Sequence, residues 1–191
     1  MRAICKFVLK LMGWKITGQT DFPTRCIISV APHTSNFDLP LGLIIYTSMG
    51  RKASFLIKKD WFFFPLNFLF KALGGIPVDR SRKTSLTEQI ADIFNKKENF
   101  QLAITPEGTR KRNSEWKKGF YYIALAAKVP IEIVALDYNK KEAIFKKTLI
   151  PSGDINKDME EITACYTGVT GKHPELFALN VNTENIDTRR K

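Results

Sequence analysis

Histidine is scarce in this 191-residue chain, which holds only His33 and His173. Cysteine is nearly as rare. Cys5, Cys26 and Cys165 form no Cys-x-x-Cys pair and are odd in number, which excludes a disulfide framework and argues against a zinc centre. Reduced thiols in a cytosolic setting are expected, with no metal ligands. No stretch reaches the roughly 18 uninterrupted apolar residues of a spanning helix. The first dozen residues lack the long apolar core and cleavage site of a secretory signal. Internal repeats, domain linkers, a Gly-x-Ser-x-Gly nucleophile elbow and any recognised nucleic-acid motif are also missing. Acidic residues run short, 19 Asp and Glu against 30 Lys and Arg, for a net charge of +11. The excess is uneven: residues 1–150 hold 25 basic against 12 acidic side chains, and residues 151–191 hold five against seven. A basic body of this kind suits nucleic acid, an anionic membrane surface, or acidic small molecules such as coenzyme A and lysophospholipids.

What the chain does have is apolar mass. Its 44% hydrophobic content and 14 phenylalanines exclude disorder and suffice for one well-filled domain. Apolar runs at 26–31, 53–57, 76–79, 100–105 and 131–137 read as strands, with a hairpin-like return over 143–150. Helical patterns cover 36–49, a stretch from Ser85, 116–128 and 157–166. Ser85-Leu86-Thr87-Glu88 has the form of a capping box, and Thr17 to Arg25 reads as polar and turn-rich. Alternating strands and helices imply an α/β fold, a single domain with a largely parallel central sheet flanked by helices and preceded by an amphipathic helix. The expected division is 1–16 for that helix, 17–180 for the domain and 181–191 for a loose polar tail.

Two segments suit a lipid surface. Arg2, Lys6 and Lys10 recur every four residues beside Ile4, Phe7, Val8, Leu11 and Met12, the pattern of a helix lying in a membrane interface or packed on its own domain. Between Lys58 and Lys71 stand six aromatics within ten residues, among them Trp61, Phe62, Phe63 and Phe64. Aromatics with basic flanks fit the headgroup boundary or an acyl chain, and Pro65 makes any helix here kink or start late. The expected location is peripheral, at the cytoplasmic side of a membrane.

The strand at 26–31 leads into Pro32-His33-Thr34-Ser35-Asn36-Phe37-Asp38. A histidine just past a strand end with a carboxylate five residues on is a candidate general base with its orienting partner. Five residues along a helix are about 140° apart at roughly 100° per residue, so the two meet only if His33 lies on the turn and Asp38 in the first turn of the next helix. Asp38 could equally be a carboxylate favoured by a helix N-terminus, and His33 an ordinary loop histidine.

A second motif, Thr105-Pro106-Glu107-Gly108-Thr109-Arg110, follows the strand at 100–105. A third is Gly74-Gly75-Ile76-Pro77-Val78-Asp79-Arg80. Together the three resemble the signature blocks of the glycerolipid (1-acylglycerol-3-phosphate-like) acyltransferase family: a His-x4-Asp, a segment ending in Arg, and a Pro-Glu-Gly-Thr-Arg. Val129-Pro130-Ile131 looks like a looser fourth block. The blocks stand in the family's order over residues 26 to 138. The resemblance implies an O-acyltransferase that moves a fatty acyl chain from acyl-CoA or acyl carrier protein to a hydroxyl of a lysolipid such as lysophosphatidate, with no cofactor besides the donor. Pro32 stands where many members carry Asn, which leaves the acceptor open among lysophosphatidate, another lysolipid and an amino-acid-derived lipid.

In that chemistry His33 is the base and Asp38 its orienter. Arg110 and Arg80 are candidates for an acidic headgroup, since guanidinium forks match phosphate oxygens in pairs. Glu107 is expected to orient Arg110 or an acceptor hydroxyl, Gly108 to let backbone approach the ligand, and Thr109 to add a hydrogen bond. The tetrahedral oxyanion is expected to meet backbone N–H groups of residues 35–38. The rival reading is a basic binding module without catalysis, for nucleic acid or a membrane surface; nucleic acid is not the expected partner.

Overall fold

The computed structural model describes residues 1–19, 23–78 and 85–179. In chain order the elements are α1 (Arg2–Met12), β1 (Lys15–Gly18), β2 (Arg25–Ala31), α2 (Asp38–Ser48), β3 (Ser54–Lys58), α3 (Leu66–Ala72), β4 (Gly75–Val78), α4 (Leu86–Lys96), β5 (Phe100–Ile104), α5 (Gly119–Ala127), β6 (Ile131–Asp137), β7 (Glu142–Leu149) and α6 (Ile155–Ala164). Seven strands form one sheet in the order β1-β7-β6-β2-β5-β3-β4. β6, β2, β5, β3 and β4 run parallel; β7 returns antiparallel to β6. The sheet is therefore largely parallel, as its strand–helix alternation implies.

The central strands are buried on both faces, which is why β6 shows no polar–apolar alternation and every residue from Ile131 to Asp137 is inside. One face carries α4, α5 and α6 over Ile27, Leu102, Ile131 and Ile133. The other carries α1 and α2, with Leu9, Trp14, Leu41 and Ile45 over Cys26, Ile28 and Val134. Right-handed crossovers put α3 on the same side as α2. Apolar strands thus fix a two-faced core, and the C-terminal ends of β2, β5 and β6 bring their loops to one edge.

Local chemistry sets the helix ends. Ser85 caps α4 through the full capping box with Glu88, and Asp154 caps α6 by accepting from Asn156 and Lys157 N–H. Pro65 is the N-cap of α3, so the aromatic segment turns helical only after it. The stretch expected to be polar and turn-rich, Thr17 to Arg25, takes in the second half of β1, which pairs in parallel with β7 and straddles the boundary drawn at residue 16. Four residues with a lysine and a glycine carry too little pattern to read as a strand; the pairing comes from β7 beside it. The tail 181–191 lies outside the described residues.

Candidate active site

The chain leaves β2 through Ala31–Pro32 and turns back at Ser35, so that His33 and Asp38 face one another. His33 Nδ1 lies 3.0 Å from Asp38 Oδ2. A carboxylate at Nδ1 fixes the ring proton there and leaves the Nε2 lone pair free. The geometry is the turn-then-helix arrangement that the spacing requires, with Asp38 the first residue of α2. Asp38 is 5% exposed. Its Oδ2 also accepts the Ser35 N–H at 2.9 Å, and its Oδ1 accepts the Tyr138 hydroxyl at 2.5 Å. Burial first, and then the Asp38 carboxylate, push the Tyr138 phenol up, which keeps it a donor.

Three of the four backbone donors expected to meet an oxyanion, those of Ser35, Phe37 and Asp38, are engaged elsewhere. Ser35 N–H serves Asp38, Phe37 N–H serves Ser35 Oγ at 3.1 Å, and Asp38 N–H serves Ser35 O at 3.3 Å. The reason is local: the turn that folds Asp38 back uses these groups to close itself.

Glu107 stands under the histidine. Its Oε2 accepts the His33 N–H at 2.7 Å, and the residue is 4% exposed. Burial pushes its carboxyl up to about 7, opposed by that N–H. Gly108, at φ 67°, occupies the left-handed region that glycine favours and closes a turn onto Thr105 O at 3.1 Å. Thr109 Oγ1 accepts the Lys111 N–H at 3.1 Å. Arg110 reaches across to the Asn36 side chain. Arg80 lies outside the described residues.

His33, Asp38 and Arg110 line one end of a cavity of about 340 Å³ between α2 and the sheet. Its helix wall is Leu39, Gly42, Leu43 and Tyr46, and its sheet wall includes Val30, Phe55, Leu56 and Ala103. From Asp38 to Tyr46 the helix advances roughly 12 Å at 1.5 Å per residue. Tyr46 donates to Glu132 at 2.8 Å and stacks under the Arg51 guanidinium at 4.9 Å. A polar mouth thus leads into an apolar slot backed by a buried charged network. A side chain at Gly42 would meet nothing within 4 Å, so this glycine leaves space in the slot.

Of the expected aromatic contacts, Phe62, Phe63 and Phe64 stand outside the cavity lining, and the Trp61 side chain lies outside what the structure describes. Phe62 packs against Phe70 at 5.8 Å, while Phe63 and Phe64 are 54% and 78% exposed. Phe68 and Leu69 of α3 and Ile4, Phe7 and Leu11 of α1 are exposed as well. No helix among the described residues is long and apolar enough to cross a membrane.

The segment after α6 straps the loops together. Thr34 Oγ1 accepts the His173 N–H at 3.1 Å, Arg112 donates to Glu175 O at 3.1 Å, and Trp116 Nε1 donates to Ala178 O at 3.3 Å.

The sequence profile described as Acyltransferase matches residues 13–136. The chain belongs to the acyltransferase family. Within that family, human 1-acyl-sn-glycerol-3-phosphate acyltransferase beta is 31% identical over 131 residues, covering 63% of this chain and 46% of the human protein. The 1-acyl-sn-glycerol-3-phosphate acyltransferase of Borreliella burgdorferi is 32% identical over 161 residues, covering 80% of this chain and 63% of that one. The chain thus spans about half the length of such relatives. The crystal structure of the 1-acyl-sn-glycerophosphate (LPA) acyltransferase PlsC from Thermotoga maritima shares the fold with a TM-score of 0.56 and 20% identity, over 84% of this chain and 74% of that one.

Tyr138, on the Asp38 carboxylate, and Gly42, in the slot wall, are parts of the candidate site that the sequence does not single out. Tyr138 follows β6, and only the sheet order, with β6 beside β2, shows that these two strand ends meet. Gly42 sits inside a helix with no turn to explain it, and that was a usable signal.

Proposed function

We propose that the chain is an O-acyltransferase that moves a fatty acyl group from a thioester, acyl-CoA or acyl carrier protein, to a hydroxyl of a lysophosphatidate-like acceptor. The observation that carries this reading is the His33–Asp38 pair at the polar mouth of an apolar slot. The relatives bear the name 1-acyl-sn-glycerol-3-phosphate acyltransferase, which supports lysophosphatidate as acceptor. The slot argues against a nucleic-acid module, which has no use for it.

In the proposed reaction His33 Nε2 takes the proton of the acceptor hydroxyl as its oxygen attacks the thioester carbonyl. The tetrahedral intermediate collapses, the C–S bond breaks, and the imidazolium returns the proton to the leaving thiolate. Asp38 holds the ring and stabilises its cationic form. Arg110, at the mouth, binds the acceptor phosphate, with Arg80 as the expected second guanidinium. Glu107 positions His33 through its main chain rather than touching the acceptor. The acyl chain runs along Leu39, Gly42 and Leu43 toward Tyr46. The donor's carrier, coenzyme A or acyl carrier protein, is acidic and complements the basic body.

The exposed apolar residues of α1 and α3 flank α2 on the slot's side of the sheet, with lysines alongside. We assign them to an anionic lipid surface that delivers both lipid substrates, with the protein peripheral at its cytoplasmic face.

The test is thiol release from a long-chain acyl-CoA with a panel of lysolipids in liposomes. Wild type should release thiol only with acceptor, and His33→Ala should abolish release. Asp38→Asn should cost about 10⁴-fold, by analogy with serine proteases. Arg110→Ala should raise the KM of a phosphate-bearing acceptor. Undiminished turnover in His33→Ala would refute the mechanism, and release without acceptor would indicate a thioesterase.

A further inference from the structure

The His33–Asp38 pair has a third member that enters from the end of the neighbouring strand, β6. Asp38 has two oxygens, and the pair together with the Ser35 turn uses only Oδ2. Oδ1 is taken by Tyr138, at 2.5 Å, across 100 residues of sequence. Asp38 is almost fully buried, so water does not readily replace this donor.

Tyr138 is itself fixed. It follows β6, whose neighbour β2 ends just before His33. Its N–H donates to Thr170 O at 2.8 Å, which ties it to the strap after α6. Its ring meets Trp14 edge-on, with centroids 5.0 Å apart and planes at 87°. Trp14 is buried, and its N–H closes the end of α1 on Leu9 O at 2.9 Å. The hydroxyl is therefore aimed by both ends of the chain. Residue 138 also lies two positions beyond the stretch that matches the family, 13–136.

We propose that Tyr138 is a positioning residue for the acyl transfer: its hydroxyl locks the Asp38 carboxylate in the rotamer that holds His33 Nδ1–H. A carboxylate held by one oxygen can pivot about its Cβ–Cγ bond, and the imidazole pivots with it. Two further donors, Ser35 N–H on one oxygen and Tyr138 O–H on the other, remove that freedom. The ring then presents Nε2 to the slot in one orientation, the preorganisation on which proton transfer depends. The inference rests on the catalytic role given above to His33 and Asp38.

The experiment uses the full chain in mixed micelles with a long-chain acyl-CoA and lysophosphatidate. It compares wild type, Tyr138→Phe, Asp38→Asn and the double variant. Tyr138→Phe keeps the ring against Trp14, so its melting temperature should stay near that of wild type. A hydrogen bond to a charged group contributes enough to change a rate about 10- to 100-fold. The expected result is a kcat loss of that size, with both KM values unchanged, and no further loss when Tyr138→Phe is added to Asp38→Asn. Three results would overturn the proposal: wild-type kcat in Tyr138→Phe, a change confined to KM, or an equal loss in the Asp38→Asn background. The two readings fail separately. If His33→Ala remains active, the dyad is wrong; if His33→Ala is dead and Tyr138→Phe is fully active, only the positioning role is.

Discussion

Glu107 Oε2 accepts the main-chain N–H of His33 at 2.7 Å, a hydrogen bond between two motifs 74 residues apart. The bond needs no particular side chain at residue 33. It fixes where the chain places that residue's Cα, and so where an imidazole must hang.

Glu107 also makes stability depend on pH. Burial moves its carboxyl from 4.5 to about 7. Between those values the folded chain keeps a proton that the unfolded chain has lost, so folding takes up protons and stability falls as pH rises. The decline should be up to about 3 kcal/mol and level off above neutrality. Urea denaturation from pH 5 to 8 should show that slope in wild type and a flatter line in Glu107→Gln, which keeps an oxygen for the His33 N–H. Equal slopes in the two proteins would place the titration elsewhere.

Gly42 lies in the middle of α2, where glycine costs about 1 kcal/mol relative to alanine. Since a Cβ there meets only open space, Gly42→Ala should raise the melting temperature. Gly42→Leu should fill the slot and shift preference toward shorter acyl-CoA donors, read as kcat/KM across a chain-length series. An unaltered series would remove the acyl chain from this slot.

The exposed aromatics of α3 and of the turn just before it should matter for lipid and not for folding. Phe64→Ser with Phe68→Ser removes two side chains that are 78% and 66% exposed. Burying a large apolar side chain contributes about 1.5–3 kcal/mol, so cosedimentation with anionic vesicles should weaken by tenfold or more while circular dichroism stays the same. Residual binding should decline with added salt. Vesicle affinity equal to wild type would assign these rings to another role.

Much of the site was readable because it depends on short-range geometry. The five-residue gap from His33 to Asp38 allows one arrangement, a turn followed by the start of a helix, and the chain adopts it. Likewise β2, β5 and β6 are mostly apolar because helices cover both faces, so they stand out without strict alternation. What escaped depends on distant pairing. β1 is a strand only because β7 lies beside it. Tyr138 meets Asp38 only because β6 is placed next to β2. The backbone donors of Ser35, Phe37 and Asp38 were expected to be open, yet the same turn that delivers Asp38 uses them. One constraint, closing a tight turn, thus both revealed the pair and hid the fate of its neighbours.

The fastening of α1 bears on how substrate is measured. Arg2 Nε donates to Ser48 O at 3.2 Å at one end of the helix. At the other, Gly13 in the left-handed conformation closes the cap and β1 enters the sheet. A helix on a loose tether would let the body swing above a lipid surface and sample many heights. On the lipid surface proposed above, a helix clamped at both ends would act as a depth stop: the plane in which the exposed Ile4, Phe7 and Leu11 settled would dictate the elevation of His33. Reach along the membrane normal, set by this attachment, would then help select which hydroxyl of a glycerol backbone is acylated.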